Sequence, residues 1–165
     1  MEMESLRDLF LDELRDMYHA EGQMIKSLPR MAKKADSDEL RTAFEQHLEE
    51  TRRQQERLQD VFELFDEKPK TKVCKGMQGI LEEGKEMMQE DIDADVLDAA
   101  LIAAAQRAEH YEIAVYGTLR TYAQLLGEEK AAKILQQILD EEGTTDKKLT
   151  ALAEKLNVEA ARSEA

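Results

Sequence analysis

Four glutamates lie at matching distances from two predicted breaks between helices. Glu21 lies 15 residues before the first break and Glu50 lies 14 residues after it. Glu112 and Glu142 lie 15 residues before and 15 residues after the second break, at Gly127. If each half of the chain forms a helical hairpin, the two glutamates of that half reach the same depth. Carboxylates that converge in a core must be protonated, paired with cations or bound to metal, because an unpaired buried charge costs several kcal/mol.

Three further side chains of ligand type lie three or four positions from one of these glutamates. They are His47, Glu109 and Asp146. Residues at that spacing share a helix face, so each can reach the same side of a bundle as its neighbouring glutamate. A carboxylate-rich set with one histidine and no thiolate favours iron, manganese or zinc. The candidate ligands of this predicted metal site are Glu21, Glu50, Glu109, Glu112, Glu142, Asp146 and His47.

The same side chains also have structural interpretations. Glu109 and Asp146 flank the apolar stripes of an acidic chain, where a solvated helix face is the alternative to a metal ligand. His47 lies one turn from Glu50 and could instead be a hydrogen-bonded core histidine. Arg53 lies three residues after Glu50, and a buried arginine with two carboxylates can form a satisfied network without metal. The residues therefore allow both a metal-binding core and a metal-free one.

Apolar residues at steps of three and four predict four long helices and one short helix that position these side chains. N-cap signals at Ser5 and Asp36 open the first two helices, and Gly127 ends the fourth. The predicted helices span residues 5–34, 37–66, 76–90, 94–126 and 128–156, with a frayed tail at 157–165. The expected fold class is all-α, with two antiparallel hairpins in a four-helix bundle and a long crossover that carries the short helix.

Composition limits the classes of partner. A chain of 165 residues predicts a single domain, and 36% charged residues with only seven glycines and two prolines are typical of long, solvated helices. The net charge of −14 argues against nucleic acid. There is no apolar run of membrane-spanning length, the first residues are acidic, and the single cysteine allows no intramolecular disulfide. We therefore expect a cytoplasmic protein without a nucleic-acid or membrane partner.

Five segments carry a resemblance to known proteins. They read YHAEGQ from Tyr18, LPRMA from Leu28, HLEETR from His47, AEHYEIAVYGTLR from Ala108 and DEEGTTDKKL from Asp140. In these segments the chain resembles the ferritin-like superfamily, and more closely the YciF/YciE family of bacterial stress-associated proteins. The resemblance covers residues 6 to about 156. It implies a ferritin-like four-helix bundle, a homodimer and a di-metal site in the bundle core.

Di-iron carboxylate proteins typically take one glutamate from each of two helices and a Glu-x-x-His pair from each of the other two. The four glutamates match this pattern by position, whereas Arg53 and Thr145 stand where the two histidines are usual. The resemblance implies two divalent ions, with iron first and manganese or zinc as alternatives, that act on O₂ or peroxide. It leaves open whether the protein is an enzyme. The alternative function is a metal-free helical scaffold or interaction protein, in which Arg53 and hydrogen bonds neutralise the core glutamates.

Overall fold

A computed structural model describes residues 3–162, which form five helices and no strand. The helices are α1 (Leu6–Lys34), α2 (Asp38–Leu64), α3 (Lys75–Gln89), α4 (Ala94–Leu125) and α5 (Glu129–Arg162). The all-α prediction is confirmed over these residues. No helix in this part of the chain is long and apolar enough to cross a membrane.

Each long helix packs against two others. α1 contacts α2 and α4, and α5 contacts α4 and α2. The short helix α3 lies against α4 and α1, so the connection between the two hairpins covers the bundle surface. The result is a helical bundle in which side chains from α1, α2, α4 and α5 can meet inside.

The ends of the helices follow from local chemistry, with two differences from the predictions. The N-cap of α2 is Ser37, whose hydroxyl accepts from the backbone N–H of Leu40 at 3.4 Å, and not Asp36. The predicted tail from residue 157 is helical as far as Arg162. Alanine and glutamate are strong helix formers, so the sequence 159–161 continues the helix beyond the last apolar stripe. Residues 163–165 lie outside the described part of the chain.

The turn between α1 and α2 is held by a buried carboxylate from α4. Asp98 is only 2% exposed, and its two oxygens accept from the backbone N–H groups of Asp36 and Ser37, each at 2.8 Å. Backbone donors at a helix start otherwise lack partners. Asp98 therefore fixes the first hairpin against the second.

The buried face of α1 carries a polar side chain between apolar ones. Met17, Glu21 and Met24 follow at helical spacing, and all three are fully buried. Apolar side chains from the other long helices surround them, including Phe44, Leu58 and Ile138. Glu21 thus places a carboxylate where an apolar side chain would ordinarily lie, and solvent cannot stabilise its charge there.

Candidate metal centre

Four ligand-type side chains from three helices meet in the bundle interior. His47 comes from α2, Glu109 and Glu112 from α4, and Glu142 from α5. One ligand atom of each lies within 4.8 Å of the others. The three glutamates are fully buried and His47 is 3% exposed. Glu109 and Glu112 are three residues apart and so project from one face of α4. We refer to these four residues as the His–Glu cluster.

Glu21 from α1 adjoins the His–Glu cluster. Its Oε1 accepts a hydrogen bond of 2.6 Å from the hydroxyl of Tyr116. The negative charge of Glu142 contributes to the raised pKa of Glu21, so the two carboxyls interact directly. With Glu21, every long helix supplies a carboxylate or imidazole to the same level. The sequence favours ordinary packing for Tyr116. Its position four residues after Glu112 is the only sequence feature that indicates a hydrogen bond from its hydroxyl to a core carboxylate.

Burial and mutual repulsion make the glutamates weak acids. Burial first, and then the charge of Glu142, raises the pKa of Glu21 to about 8. Burial also raises the pKa of Glu109 to about 8, with a further contribution from the charge of Glu21. The pKa values of Glu112 and Glu142 are well above the ordinary value for the same reasons. Without a cation, Glu21 and Glu109 therefore mostly hold protons at neutral pH.

Most of the carboxylate oxygens have no amide or hydroxyl donor. Within residues 3–162 no such donor reaches either oxygen of Glu109, Glu112 or Glu142, or the Oε2 atom of Glu21. The hydrogen bonds open to these carboxyls are with one another, between Glu109 and Glu142, Glu112 and Glu142, and Glu21 and Glu112. His47 Nε2 lies 2.6 Å from Glu109 Oε1, but neither ring nitrogen makes a well-aligned hydrogen bond. Buried polar atoms are nearly always paired with protein, water or an ion. Converging carboxyl oxygens without fixed donors, together with one imidazole, therefore fit a bound cation.

Two predicted ligands lie outside the His–Glu cluster. Glu50 is half-buried, and its Oε2 accepts from the Thr145 hydroxyl at 3.0 Å. Asp146 is also half-buried, and its Oδ1 contacts His110 Nε2 at 3.1 Å. Positions three or four apart on a helix point in directions that differ by about 40–60°. His47 and Glu142 therefore face the bundle interior, while Glu50 and Asp146 face the edge of the contact between helices.

The structure does not pair Arg53 with the core glutamates. Arg53 is exposed, and within the described chain it makes no ion pair with the five residues at the buried level. Arginine pairing occurs instead at Glu141, whose Oε2 accepts from Arg57 at 2.5 Å and from Gln54 at 3.0 Å. The expectation that Arg53 neutralises the core is therefore wrong, because its position on α2 directs the side chain to solvent.

The fold and the buried cluster define a class of protein: an all-α bundle with a histidine–carboxylate centre. The family described as Domain of unknown function (DUF892) matches residues 5–162. The chain belongs to this family, which confirms the predicted relation to the YciF proteins.

The relatives cover nearly the whole chain. Protein YciF of Escherichia coli (strain K12) is 47% identical over 154 residues, which are 93% of each chain. The crystal structure of the E. coli stress protein YciF has a TM-score of 0.91 at 46% identity and covers 93% of this chain and 98% of that one. YcfI of Rhodopseudomonas palustris, described as a candidate structural protein, has a TM-score of 0.88 at 42% identity and covers 90% of this chain and 95% of that one.

A more distant structure shares the same fold. A protein from Xanthomonas campestris pv. campestris has a TM-score of 0.76 at 27% identity and covers 96% of this chain and 97% of that one. The helical arrangement is therefore common to proteins whose sequences differ widely from this one.

Proposed function

We propose that the protein is a cytoplasmic, stress-associated metal-binding protein of the ferritin-like type. In this proposal two divalent ions bind in the core of its four-helix bundle. Iron is the first choice, with manganese and zinc as alternatives. The observation that carries the proposal is the convergence of unpaired, buried carboxylate oxygens on His47. The stress association rests on the description of the E. coli relative as a stress protein.

The donor set supports divalent ions of intermediate hardness. Carboxylate oxygens and one imidazole suit iron, manganese and zinc, and the cluster has no thiolate that would favour copper(I). Glu21, Glu109, Glu112 and Glu142 carry four negative charges when ionised, which two divalent ions would balance. Neutralisation by cations removes the repulsion that raises the pKa values of these groups.

Each residue has a defined part in this proposal. His47, Glu109, Glu112 and Glu142 would hold the ions directly, and Glu21 would bind from the α1 side. Tyr116 orients Glu21 through its hydroxyl, and its pKa is raised well above the usual range by burial and by the charge of Glu21, so it stays a donor. Bound iron or manganese would supply redox chemistry toward O₂ or peroxide. Apolar side chains around the cluster exclude bulk water.

Metal analysis of protein purified without chelator tests the proposal. Cultures supplied with iron or with manganese should yield about two equivalents of metal per chain. Glu142→Gln should lose most of that metal, whereas Glu141→Gln should retain it, because Glu141 pairs with Arg57 outside the His–Glu cluster. A metal-free protein from both cultures would refute the proposal. Peroxide consumption by the loaded protein then decides whether there is turnover.

The proposed homodimer follows from the resemblance alone. Light scattering during size-exclusion chromatography should give twice the chain mass of 18.9 kDa. A mass of 18.9 kDa at micromolar concentration would make the protein a monomer.

A second candidate is a metal-free helical scaffold whose core carboxyls stay protonated. Two observations favour it: the raised pKa values of the four glutamates and the description of the R. palustris relative as a candidate structural protein. A chelator separates the candidates. Metal removal should lower the melting temperature of a metalloprotein and should leave that of a scaffold unchanged.

A further inference from the structure

A small opening lies between α2 and α5, and His47 of the His–Glu cluster forms part of its wall. It is a cavity of about 20 Å³ that His47, Glu50 and Thr145 line together with Ala43 and Phe44. A wider surface groove continues from it and shares Gln46, Glu50 and Lys148 with the small cavity. A path to the surface therefore runs from His47 past Glu50.

His47 is the cluster residue closest to this path. Glu21, Glu109, Glu112 and Glu142 have no exposed surface, whereas His47 is 3% exposed. The Nδ1 atom of His47 is buried and has no hydrogen-bond partner in the described chain. The Nδ1 atom of an imidazole that lines the opening is therefore available to a ligand that arrives from outside.

Glu50 stands at the outer end of the same path. The hydrogen bond of 3.0 Å from Thr145 crosses from α5 to α2 and holds the carboxylate of Glu50 over the opening. Glu45 and Glu49 line the groove together with Arg53 and Lys148, so with Glu50 the groove carries three acidic and two basic side chains. A half-buried carboxylate next to a buried imidazole gives a cation two successive ligands along the path.

We propose that divalent ions enter and leave the core site through this opening, with Glu50 as the residue that captures the ion and passes it to His47. This inference rests on the proposed metal-binding function. It assigns Glu50 to transfer and not to the final ligand set. A residue that stabilises only the passing ion should change uptake and release by the same factor and leave the dissociation constant unchanged.

Stopped-flow absorbance with Co²⁺ and metal-free protein measures uptake, and competition with a chelator measures release. Glu50→Gln should slow both by about tenfold, because the capturing charge is lost. Glu56→Gln is the matched control, since it removes the same charge from an exposed position on α2 outside the opening. That control should keep the wild-type rates.

A second variant blocks the path without a change in charge. Ala43→Leu fills part of the cavity and should also slow uptake several-fold at unchanged final stoichiometry, whereas Ala114→Leu, at an exposed site on α4, should not. Equal rates in wild type, Glu50→Gln and Ala43→Leu would overturn the inference alone. Loss of bound Co²⁺ at equilibrium in Glu50→Gln would also overturn it, since Glu50 would then be a core ligand. Wild-type protein that binds no Co²⁺ at all would refute the metal-binding function and the route with it.

Discussion

Asp98 and the glutamates of the His–Glu cluster are carboxylates buried in the same helical bundle, but their surroundings differ. Asp98 accepts two backbone N–H groups at 2.8 Å. The oxygens of Glu109, Glu112 and Glu142 receive no such donors from the described chain. Buried charge is tolerated where fixed donors meet it. The comparison shows that the cluster, which has no fixed donors, must take up protons or cations.

Metal removal should have the largest effect on stability. It should act through the His–Glu cluster and not through Asp98. Ions present at about 1,000 times their dissociation constant stabilise a folded protein by about 4 kcal/mol. For a domain of this size that corresponds to a fall in melting temperature of roughly 10 °C after chelation. Differential scanning calorimetry of loaded and chelated protein measures the difference. An unchanged melting temperature in protein shown to contain metal would contradict the account.

Asp98→Ala should be nearly as severe, for a reason independent of metal. The substitution leaves two backbone N–H groups of the α1–α2 turn without their carboxylate acceptor, and hydrogen bonds to charged groups contribute about 1.5–3 kcal/mol each. We expect a loss of about 3 kcal/mol in urea denaturation, equal in loaded and chelated protein. Asp91→Ala, at an exposed position before α4, is the control. A loss below about 0.5 kcal/mol would mean that Asp98 does not hold the turn.

The pH dependence of stability separates the two kinds of carboxylate next. The pKa values of Glu21 and Glu109 rise from 4.5 to about 8 on folding, so the folded state binds more protons than the unfolded state between these values. Stability of the metal-free protein must therefore fall as pH rises through this window.

Urea denaturation of chelated protein at pH 5, 6, 7 and 8 measures this slope. Glu21→Gln should reduce it, and Asp98→Ala should lower stability by a similar amount at each pH. Bound metal should flatten the slope, because the ions replace the protons. Stability that increases from pH 5 to pH 8 in the metal-free protein would contradict the raised pKa values.

Tyr116→Phe should have the smallest effect. It removes the hydroxyl that donates to Glu21 at 2.6 Å. The variant therefore measures how much this single hydrogen bond contributes to stability. We expect a loss of about 1 kcal/mol in the metal-free protein. In the loaded protein, metal affinity should fall by about tenfold, because an orienting partner of a ligand is lost. Tyr122→Phe, a half-buried tyrosine on the same helix, should change neither quantity by a comparable amount.

The sequence predicts the helices well because their apolar spacing and caps are local. It also predicts that Glu21 and Glu142 lie in the core, since both interrupt an apolar stripe at helical spacing. It does not decide between His47 and Glu50, because two residues three positions apart share a helix face and only packing determines which one faces inward. The end of α5 was predicted too early because helix propensity continues after the apolar pattern ends.

Asp98 shows a different limit of sequence analysis. Its partners are backbone groups 61 and 62 residues away along the chain, and no side-chain pattern marks them. Arg53 shows the opposite case, a contact that sequence proximity suggests and the fold does not make. Its proximity to Glu50 in sequence suggested an ion pair, but the direction of its side chain excludes that pair in the folded chain.

Anomalous diffraction from crystals grown with Fe²⁺ or Mn²⁺ tests the central claim most directly. The account predicts anomalous peaks at the buried level, within bonding distance of His47 Nε2 or Nδ1 and of carboxylate oxygens from Glu109, Glu112 and Glu142. Glu142→Gln crystals should lose at least one peak, and Glu141→Gln crystals should keep all of them. A wild-type crystal without anomalous density there, with the carboxyls bonded directly to one another or to water, would contradict it.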